Sequence, residues 1–478
     1  MKTTRKTKII ATLGPASNSE KVLTRMIKAG VNVVRLNFSH GDYAYHENTL
    51  KTVRAASKAV GIPVSVMQDL QGPKIRTGEL YKDKVFLKKG STLTLTTKKC
   101  IGDGVKQSIS YKNLPKEVKK GNVILLDDGK IKLQVSSVSG SDIRCKVIVG
   151  GYVTSRRGVN VPGASLGISS LTEKDKKDVA WGIKNGVDLI AFSFVKNAKD
   201  VKELKKLLKK SRADIGVISK VETFDAIRNI DEILAETDGV MVARGDLAVE
   251  MPPEEVPMLQ KMIIEKCNKA GKPVVVATQM LESMILSPVP TRAEVSDVAN
   301  SILDGADAVM LSAETAVGEY PVDTIEIMSN VAKKTESRQP HHRLLVNGID
   351  ESGGKDGHIE TVDAITHYVV STAHDVGAKV IVALTETGST ARMVARYHPS
   401  QPIIVLSPNE RALKKIMISY GCYPHEITQF KYIGEAIERI QKILLQEKIA
   451  KKGDKFVLAA GVPFGKTGGT NIVMVQEV

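Results

Sequence analysis

Aromatic residues are scarce in this chain, 4% in all with a single tryptophan, and it has only 4 cysteines. Without rings interleaved among its lysines it lacks the sequence signature of a single-stranded nucleic-acid surface, where bases stack on flat side chains. Cys100, Cys145, Cys267 and Cys422 lie far apart with no CxxC pair. Neither a zinc site nor a disulfide framework is indicated, and all four read as packing residues. No stretch approaches the ~20 apolar residues that span a bilayer. The opening run Met1-Lys-Thr-Thr-Arg-Lys-Thr-Lys8 has no apolar core of a signal peptide, so a cytoplasmic protein with no membrane and no nucleic-acid partner is expected.

Length and charge are what the chain does have. At 478 residues it should form two or three domains. Its formal charge of +16 includes runs such as Lys202 to Lys210, which read as the solvated face of an amphipathic helix. The net field favours anionic metabolites.

Short apolar runs alternate with helical patterns from the start: Lys8 to Leu13, Val31 to Phe38, Ile62 to Asp69, Val187 to Phe194, Ile215 to Glu222, Gly239 to Asp246, Pro273 to Gln279 and Ala306 to Ser312. Near-continuous hydrophobicity fits strands buried on both faces, and eight of them fit a closed (β/α)8 TIM barrel. Thr172 with Asp175 and Thr291 with Glu294 have capping-box spacing, and Gly186 and Gly305 stand where the two helices should stop.

Between residues 71 and 162 the pattern changes to short alternating segments such as Ser91 to Thr97 and Asp142 to Val149, which predicts an inserted all-β domain. The pairs Gly72-Pro73 and Pro162-Gly163 bound it like hinges, and after the third barrel strand it would cover the barrel mouth as a mobile lid. The barrel would then comprise residues 1–70 and 163–336. Residues 337–478 begin with a polar linker, Ser337 to Arg343. They continue with four strand-like runs, Lys379 to Leu384, Pro402 to Leu406, Phe456 to Ala459 and Asn471 to Val475, as expected of an open-sheet α/β domain.

A barrel of this kind keeps its active site at the C-terminal ends of its strands. Polar groups recur there: Arg35, Asn37, Ser39 and His40; Asp69, with Lys74 and Arg76 beyond; Lys220 and Glu222; Arg244 and Asp246; Thr278 and Gln279; Ser312 and Glu314. Any one of them is as readily a solvated strand end or a helix cap. Side chains alternate along a strand, so Lys220 and Glu222 face the same way. Glu222 and Asp246 are hard oxygen ligands suited to Mg²⁺ or Mn²⁺, while Lys220 and Arg35 can neutralise a phosphoryl group in transit. The Arg244-Gly245-Asp246 turn, read as preceding a helix, could offer backbone N–H groups to an anion.

The segments Val34 to Gly41, Gly72 to Gly78, Ser219 to Glu222, Met241 to Leu247, Ala277 to Met284, Pro290 to Glu294 and Met310 to Thr315 resemble those of the pyruvate kinase family, in order along essentially the whole chain. The resemblance implies a barrel with a β-barrel lid and a C-terminal effector domain. It further implies transfer of the phosphoryl group of phosphoenolpyruvate to ADP, the last step of glycolysis, in a homotetramer. By the same resemblance Glu222 and Asp246 hold the divalent ion, and Lys220 with Arg35 stabilises the phosphoryl group. Ala243, Gly245 and Asp246 flank the substrate carboxylate. Thr278, with Ser312 and a water chain, assists protonation of the enolate. Asn37, His40, Arg76, Arg157 and Asn160 are assigned to the nucleotide.

One departure concerns K⁺, which many family members bind near the equivalents of Asn37, Ser39, Asp69 and a following threonine. Here Leu70 replaces that threonine, and Lys74 stands where those members have glutamate. A fixed ammonium could supply the charge that K⁺ supplies elsewhere, so K⁺-independent activity is expected. In the C-terminal part, Thr385, Thr387, Gly388, Ser389 and Thr390 match the family loop that holds the phosphate of an allosteric effector, a sugar phosphate or a nucleotide. The alternative is ordinary helix capping by Ser389 or Thr390. The loop Gly465 to Thr470 could close over such a ligand, but lacks P-loop spacing. Two other functions stay open at this stage: a Mg²⁺-dependent lyase acting on pyruvate-like enolates, and a basic RNA-binding protein.

Overall fold

In the computed structural model, which describes residues 5–164, 166–338, 360–430, 432–463 and 469–478, eight parallel strands close into a barrel. These are β1 (Lys8–Thr12), β2 (Val33–Asn37), β3 (Ser65–Asp69), β4 (Leu189–Phe192), β5 (Gly216–Val221), β6 (Gly239–Ala243), β7 (Val274–Ala277) and β8 (Ala308–Leu311). Each pairs with its sequence neighbour, and Lys8 opposite Ala308 closes the ring. The helices follow the predicted punctuation. Thr172 and Thr291 each make a complete capping box, and Gly186 and Gly305 end those helices in the left-handed region. One reading needs correction. The run Gly239 to Asp246 is not strand to its end, because a helix, Arg244–Glu250, starts directly after Ala243.

Strand side chains divide between two apolar layers. Those pointing outward pack under the helices, while Ile10, Val33, Met67, Ile218, Met241, Val275 and Met310 fill the barrel interior. That interior is not completed by the barrel alone. Met417 and Ile418, from the 3-10 turn Ile416–Ile418 of the C-terminal domain, are buried in the same cluster and form its floor. Polar ties surround the plug: Lys8 donates to the Cys422 carbonyl at 2.5 Å, and Asp307 accepts from the Tyr420 and Val274 N–H groups at 2.8 and 2.9 Å.

Between β3 and β4 lies a mostly-sheet domain with its own core. It has a six-stranded sheet and a separate ribbon of Lys84–Leu87 with Gly151–Thr154. One helical turn, Leu114–Glu117, interrupts what the sequence predicts to be all β. Gly72 and Gly163, at its two ends, have φ of 66° and 73°, a conformation that costs glycine nothing.

The C-terminal sheet has five strands, in the order Cys422–Glu426, Ile403–Ser407, Val380–Leu384, Lys455–Ala460, Ile472–Glu477, the last antiparallel. The sequence reading misses the first. It carries Pro424 and a polar end, which an edge strand tolerates and a central one does not. Of the expected linker only Ser337 and Arg338 are described, and both continue from a barrel helix; the rest lies outside the described residues, as do 465–468 of the late loop. Among the described residues all four cysteines are free, three of them buried and Cys100 partly exposed. No helix among them is long and apolar enough to cross a membrane.

Candidate active site

The strand ends of β2, β3, β4 and β5 meet in one buried polar cluster. Lys220 Nζ lies 2.8 Å from Glu222 Oε1 and 3.4 Å from Asp69 Oδ1, and donates to Ser193 Oγ at 2.8 Å. Arg35 Nε donates to Asp69 Oδ2 at 2.5 Å, and its Nη1 to Thr12 Oγ1 at 2.9 Å. Burial acts against the Lys220 charge, but Asp69 and Glu222 outweigh it and hold the ammonium above the ordinary lysine range. Burial likewise opposes the charge on Asp69, yet Arg35 and Lys220 keep its carboxyl below the usual range. The cluster therefore presents two fixed cations, tethered by one ionised carboxylate, to whatever enters the barrel mouth.

Glu222 behaves differently. Its Oε2 accepts the Phe194 N–H at 2.6 Å. Burial pushes its carboxyl up against the pull of Lys220, and the charge on Asp246 pushes it further. Two carboxylates that repel each other across a polar cleft are a fit for a hard divalent cation, which would remove the repulsion. Among the described residues no group of three or more His, Cys, Asp or Glu side chains could hold a metal. A cation on Glu222 and Asp246 would thus keep open positions for water and substrate oxygens, as Mg²⁺ does.

β6 and β7 build the opposite wall. Gly245 N–H donates to Thr278 Oγ1 at 2.9 Å, and that hydroxyl donates to the Ala277 carbonyl at 2.6 Å. A Cβ on Gly245 would meet the Thr278 side chain at 3.5 Å, an ordinary contact. Thr278 and Gln279 both have positive φ, 73° and 55°, uncommon for any residue but glycine and most of all for the β-branched Thr278. Ser312 follows β8, with its N–H bound to Glu314 Oε2 at 2.7 Å.

Between this mouth and the inserted domain is a cavity of about 320 Å³. Lys74, Arg76, Arg157 and Asn160 line it from the insert, and Lys196, Asp246 and Glu250 from the barrel. Asn160 Nδ2 donates to Glu250 Oε1 at 3.3 Å, a direct bond from lid to barrel. Of the residues assigned to the nucleotide, Arg76, Arg157 and Asn160 border this cavity, whereas Asn37 and His40 are not among its walls. Asn37 accepts the Ser39 N–H at 3.1 Å, and His40 is exposed. Lys74 is exposed within the cavity, and Leu70 is buried under the barrel helices.

Sequence reasoning missed four participants. Thr12 and Ser193 stand at the ends of β1 and β4, where the strand-end rule would have found them. Lys196 holds the chain returning from the lid by donating to the carbonyls of Leu166 and Ile168 at 2.8 and 2.5 Å. Glu250 lies a helix away from any strand, and nothing in the sequence marked it.

In the C-terminal domain the loop before the helix Ser389–Ala395 is held by Thr385, whose Oγ1 accepts the Gly388 N–H at 3.0 Å. Neither Ser389 nor Thr390 caps that helix. Thr390 Oγ1 instead lies 2.8 Å from Thr470 Oγ1, while Thr387 offers its carbonyl to Arg392 at 3.4 Å.

Two family models match the chain: the barrel domain of pyruvate kinase over residues 4–325, and its alpha/beta domain over residues 363–476. The chain is 42% identical to the pyruvate kinase of Clostridium acetobutylicum, covering 99% of this chain and 100% of that one. It is 43% identical to the pyruvate kinase of Geobacillus stearothermophilus, over 99% of this chain and 80% of the relative. Among solved structures, a pyruvate kinase from Cryptosporidium parvum superposes with a TM-score of 0.93 at 38% identity, covering 99% of this chain and 96% of that one.

Proposed function

The chain belongs to the pyruvate kinase family and is a phosphotransferase, and from that premise we propose how its residues divide the transfer of a phosphoryl group from phosphoenolpyruvate to ADP. The observation that carries the assignment is the buried Lys220, held between Asp69, Glu222 and Ser193 beneath a cavity walled by lid cations. Lys220 and Arg35 bind the phosphoryl oxygens while the bond from phosphorus to the enol oxygen breaks and a bond to the β-phosphate oxygen of ADP forms. Both cations are already oriented by Asp69, so little reorganisation is needed as charge moves.

Glu222 and Asp246 would hold the family's Mg²⁺, which would supply positive charge to offset that of the phosphoryl and enolate oxygens. The N–H groups at the start of the helix Arg244–Glu250 face the substrate carboxylate, with Ala243 and Gly245 alongside. The enolate that remains takes a proton from water at its terminal carbon, relayed by the Thr278 hydroxyl with Ser312 and a water chain. From the lid, Arg76, Arg157 and Asn160 bind the phosphates of ADP. Asn37 and His40 are not among the cavity walls, so they join the nucleotide site on a movement of the lid. Incubation with phosphoenolpyruvate, ADP and Mg²⁺ should yield ATP and pyruvate in equal amounts; pyruvate without ATP sinks the assignment.

Three finer features belong to the same proposal. Activity is independent of K⁺, because Lys74 brings a fixed ammonium into the cavity and Leu70 offers no hydroxyl. A phosphorylated metabolite regulates the enzyme through the loop Thr385 to Thr390. Support for that route is packing: a Cβ on Gly388 would lie 3.6 Å from Ile416, whose neighbours Met417 and Ile418 floor the barrel. Homotetrameric assembly rests on the family alone, and light scattering that returned a monomer mass would exclude it.

A further inference from the structure

Residues 71–162 contain 19 lysines and arginines against 7 aspartates and glutamates, a net of +12 within a chain whose total is +16. About a fifth of the molecule thus carries three-quarters of its excess charge. All of these cations except Lys106 are exposed. Among the described residues only Lys106, Lys130, Arg156 and Arg157 have a carboxylate partner. The substrate cavity uses Lys74, Arg76, Arg156 and Arg157. Substrate binding therefore leaves most of the charge unexplained.

The outer surface of the same domain also collects aromatic rings. Phe86 and Tyr152 face each other across the ribbon, 58% and 61% exposed, with ring centroids 5.0 Å apart at 65°. Lys84 Nζ stands 4.8 Å from the Tyr152 centroid, and Tyr81 is 73% exposed with Lys82 beside it. A cross-strand aromatic pair stabilises its ribbon, but that role does not call for rings left open to water amid lysines. The chain runs from the strand Asp142–Val149 into the ribbon, exposing Arg144, Lys146 and Tyr152 in succession; on the neighbouring strand exposed Lys132 stands two residues before Gln134, which is opposite Lys146. At ~3.3 Å per residue, Arg144 to Tyr152 spans up to about 26 Å.

We propose that this outer face binds single-stranded nucleic acid, with bases stacked on Phe86 and Tyr152 and phosphates held by Lys84, Lys132, Arg144 and Lys146. A basic track plus exposed rings on a small β domain is what sequence-tolerant strand binding requires. A duplex is disfavoured, because rings standing out from a sheet cannot reach bases that are already stacked. A bilayer is disfavoured because the rings are dispersed among charges rather than gathered into an apolar face. Sequence composition argued the other way because it does not record exposure: aromatics are as scarce in residues 71–162 as in the whole chain, but Tyr81, Phe86 and Tyr152 stand exposed in the domain that carries most of the positive charge.

The test uses the full-length protein and a labelled oligouridine of about 16 nucleotides, followed by fluorescence anisotropy. Binding is expected at about 50 mM salt and should weaken at least tenfold by about 200 mM. Phe86→Ala with Tyr152→Ala should weaken it about tenfold at unchanged charge, and Lys132→Glu with Lys146→Glu should flatten the salt dependence. Both double variants should retain turnover of phosphoenolpyruvate and ADP, which checks their folding. The proposal is overturned by no binding at low salt, or by binding indifferent to loss of the two rings. It is equally overturned by equal affinity for a duplex of the same length, by displacement of the strand by saturating ADP, or by binding only to phosphatidylserine vesicles.

Discussion

Arg244 donates to the Thr278 carbonyl at 2.7 Å and to the Asp297 carboxylate at 2.7 Å, and so clamps a threonine in a left-handed conformation that costs roughly 1–3 kcal/mol. The clamp aims the Thr278 hydroxyl at Gly245. Arg244→Met keeps the stem but removes the tie. It should lower kcat about tenfold or more, with little change in the KM for phosphoenolpyruvate. An unchanged kcat in a folded variant would mean that Thr278 is held without it.

Lys220→Met removes the cation that meets the phosphoryl group but leaves Thr278 and Ser312 in place. ATP formation should fall by at least about a thousandfold, given what a transition-state cation contributes to phosphoryl transfer. Exchange of the methyl protons of added pyruvate in D₂O should continue. Loss of both activities together with loss of the thermal transition would instead make the lysine structural.

Exchanging K⁺ for tetramethylammonium at constant ionic strength should leave turnover nearly unchanged, whereas in Lys74→Glu turnover should become K⁺-dependent. A tenfold fall in the native protein on removal of K⁺ contradicts the role given to Lys74.

Ile418, 1% exposed, closes the barrel floor from another domain. Ile418→Ala should cost about 2–5 kcal/mol through lost contacts and a cavity. The loss is best read as a lower unfolding midpoint of the barrel, since a chain of several domains need not unfold in one step. An unchanged midpoint would show that the floor is not integral to the barrel.

Burial raises the Asp307 carboxyl to about 7, although the Tyr420 and Val274 N–H groups and Lys8 work against the shift. The native state therefore holds a proton between the ordinary aspartate range and pH 7 that the unfolded chain releases. Its contribution to stability is full at low pH and is lost as pH rises through about 7. Asp307→Asn should flatten the decline in midpoint between pH 5 and 7. Parallel pH profiles for the two proteins would refute the assignment.

Much of this was legible in the residues. The barrel strands announced themselves as apolar runs because both faces of a parallel strand are buried, and Thr291 with Glu294 marked a helix start by purely local bonding. Lys220, Glu222 and Asp69 were legible as strand-end charges, since such groups recur at the same level of most strands, although any one alone is as readily a solvated end or a cap. Where burial is one-sided the pattern fades, and the edge strand Cys422–Glu426 went unseen. Glu250 and Lys196 were equally silent, since each meets a partner tens of residues away in the chain, Asn160 and Leu166 respectively.

The order of residues alone determined the eight-strand repeat, the helix boundaries and the charges at the barrel mouth, because periodicity, capping and strand-end position depend on neighbours a few places away. Only the tertiary structure decided that Asp69 serves both Arg35 and Lys220, that Met417 and Ile418 floor a barrel they do not belong to, and that Phe86 and Tyr152 stand exposed on the most basic domain. Those relations join positions remote in the chain. Their energies come from burial and from charge at close range, which no local pattern records.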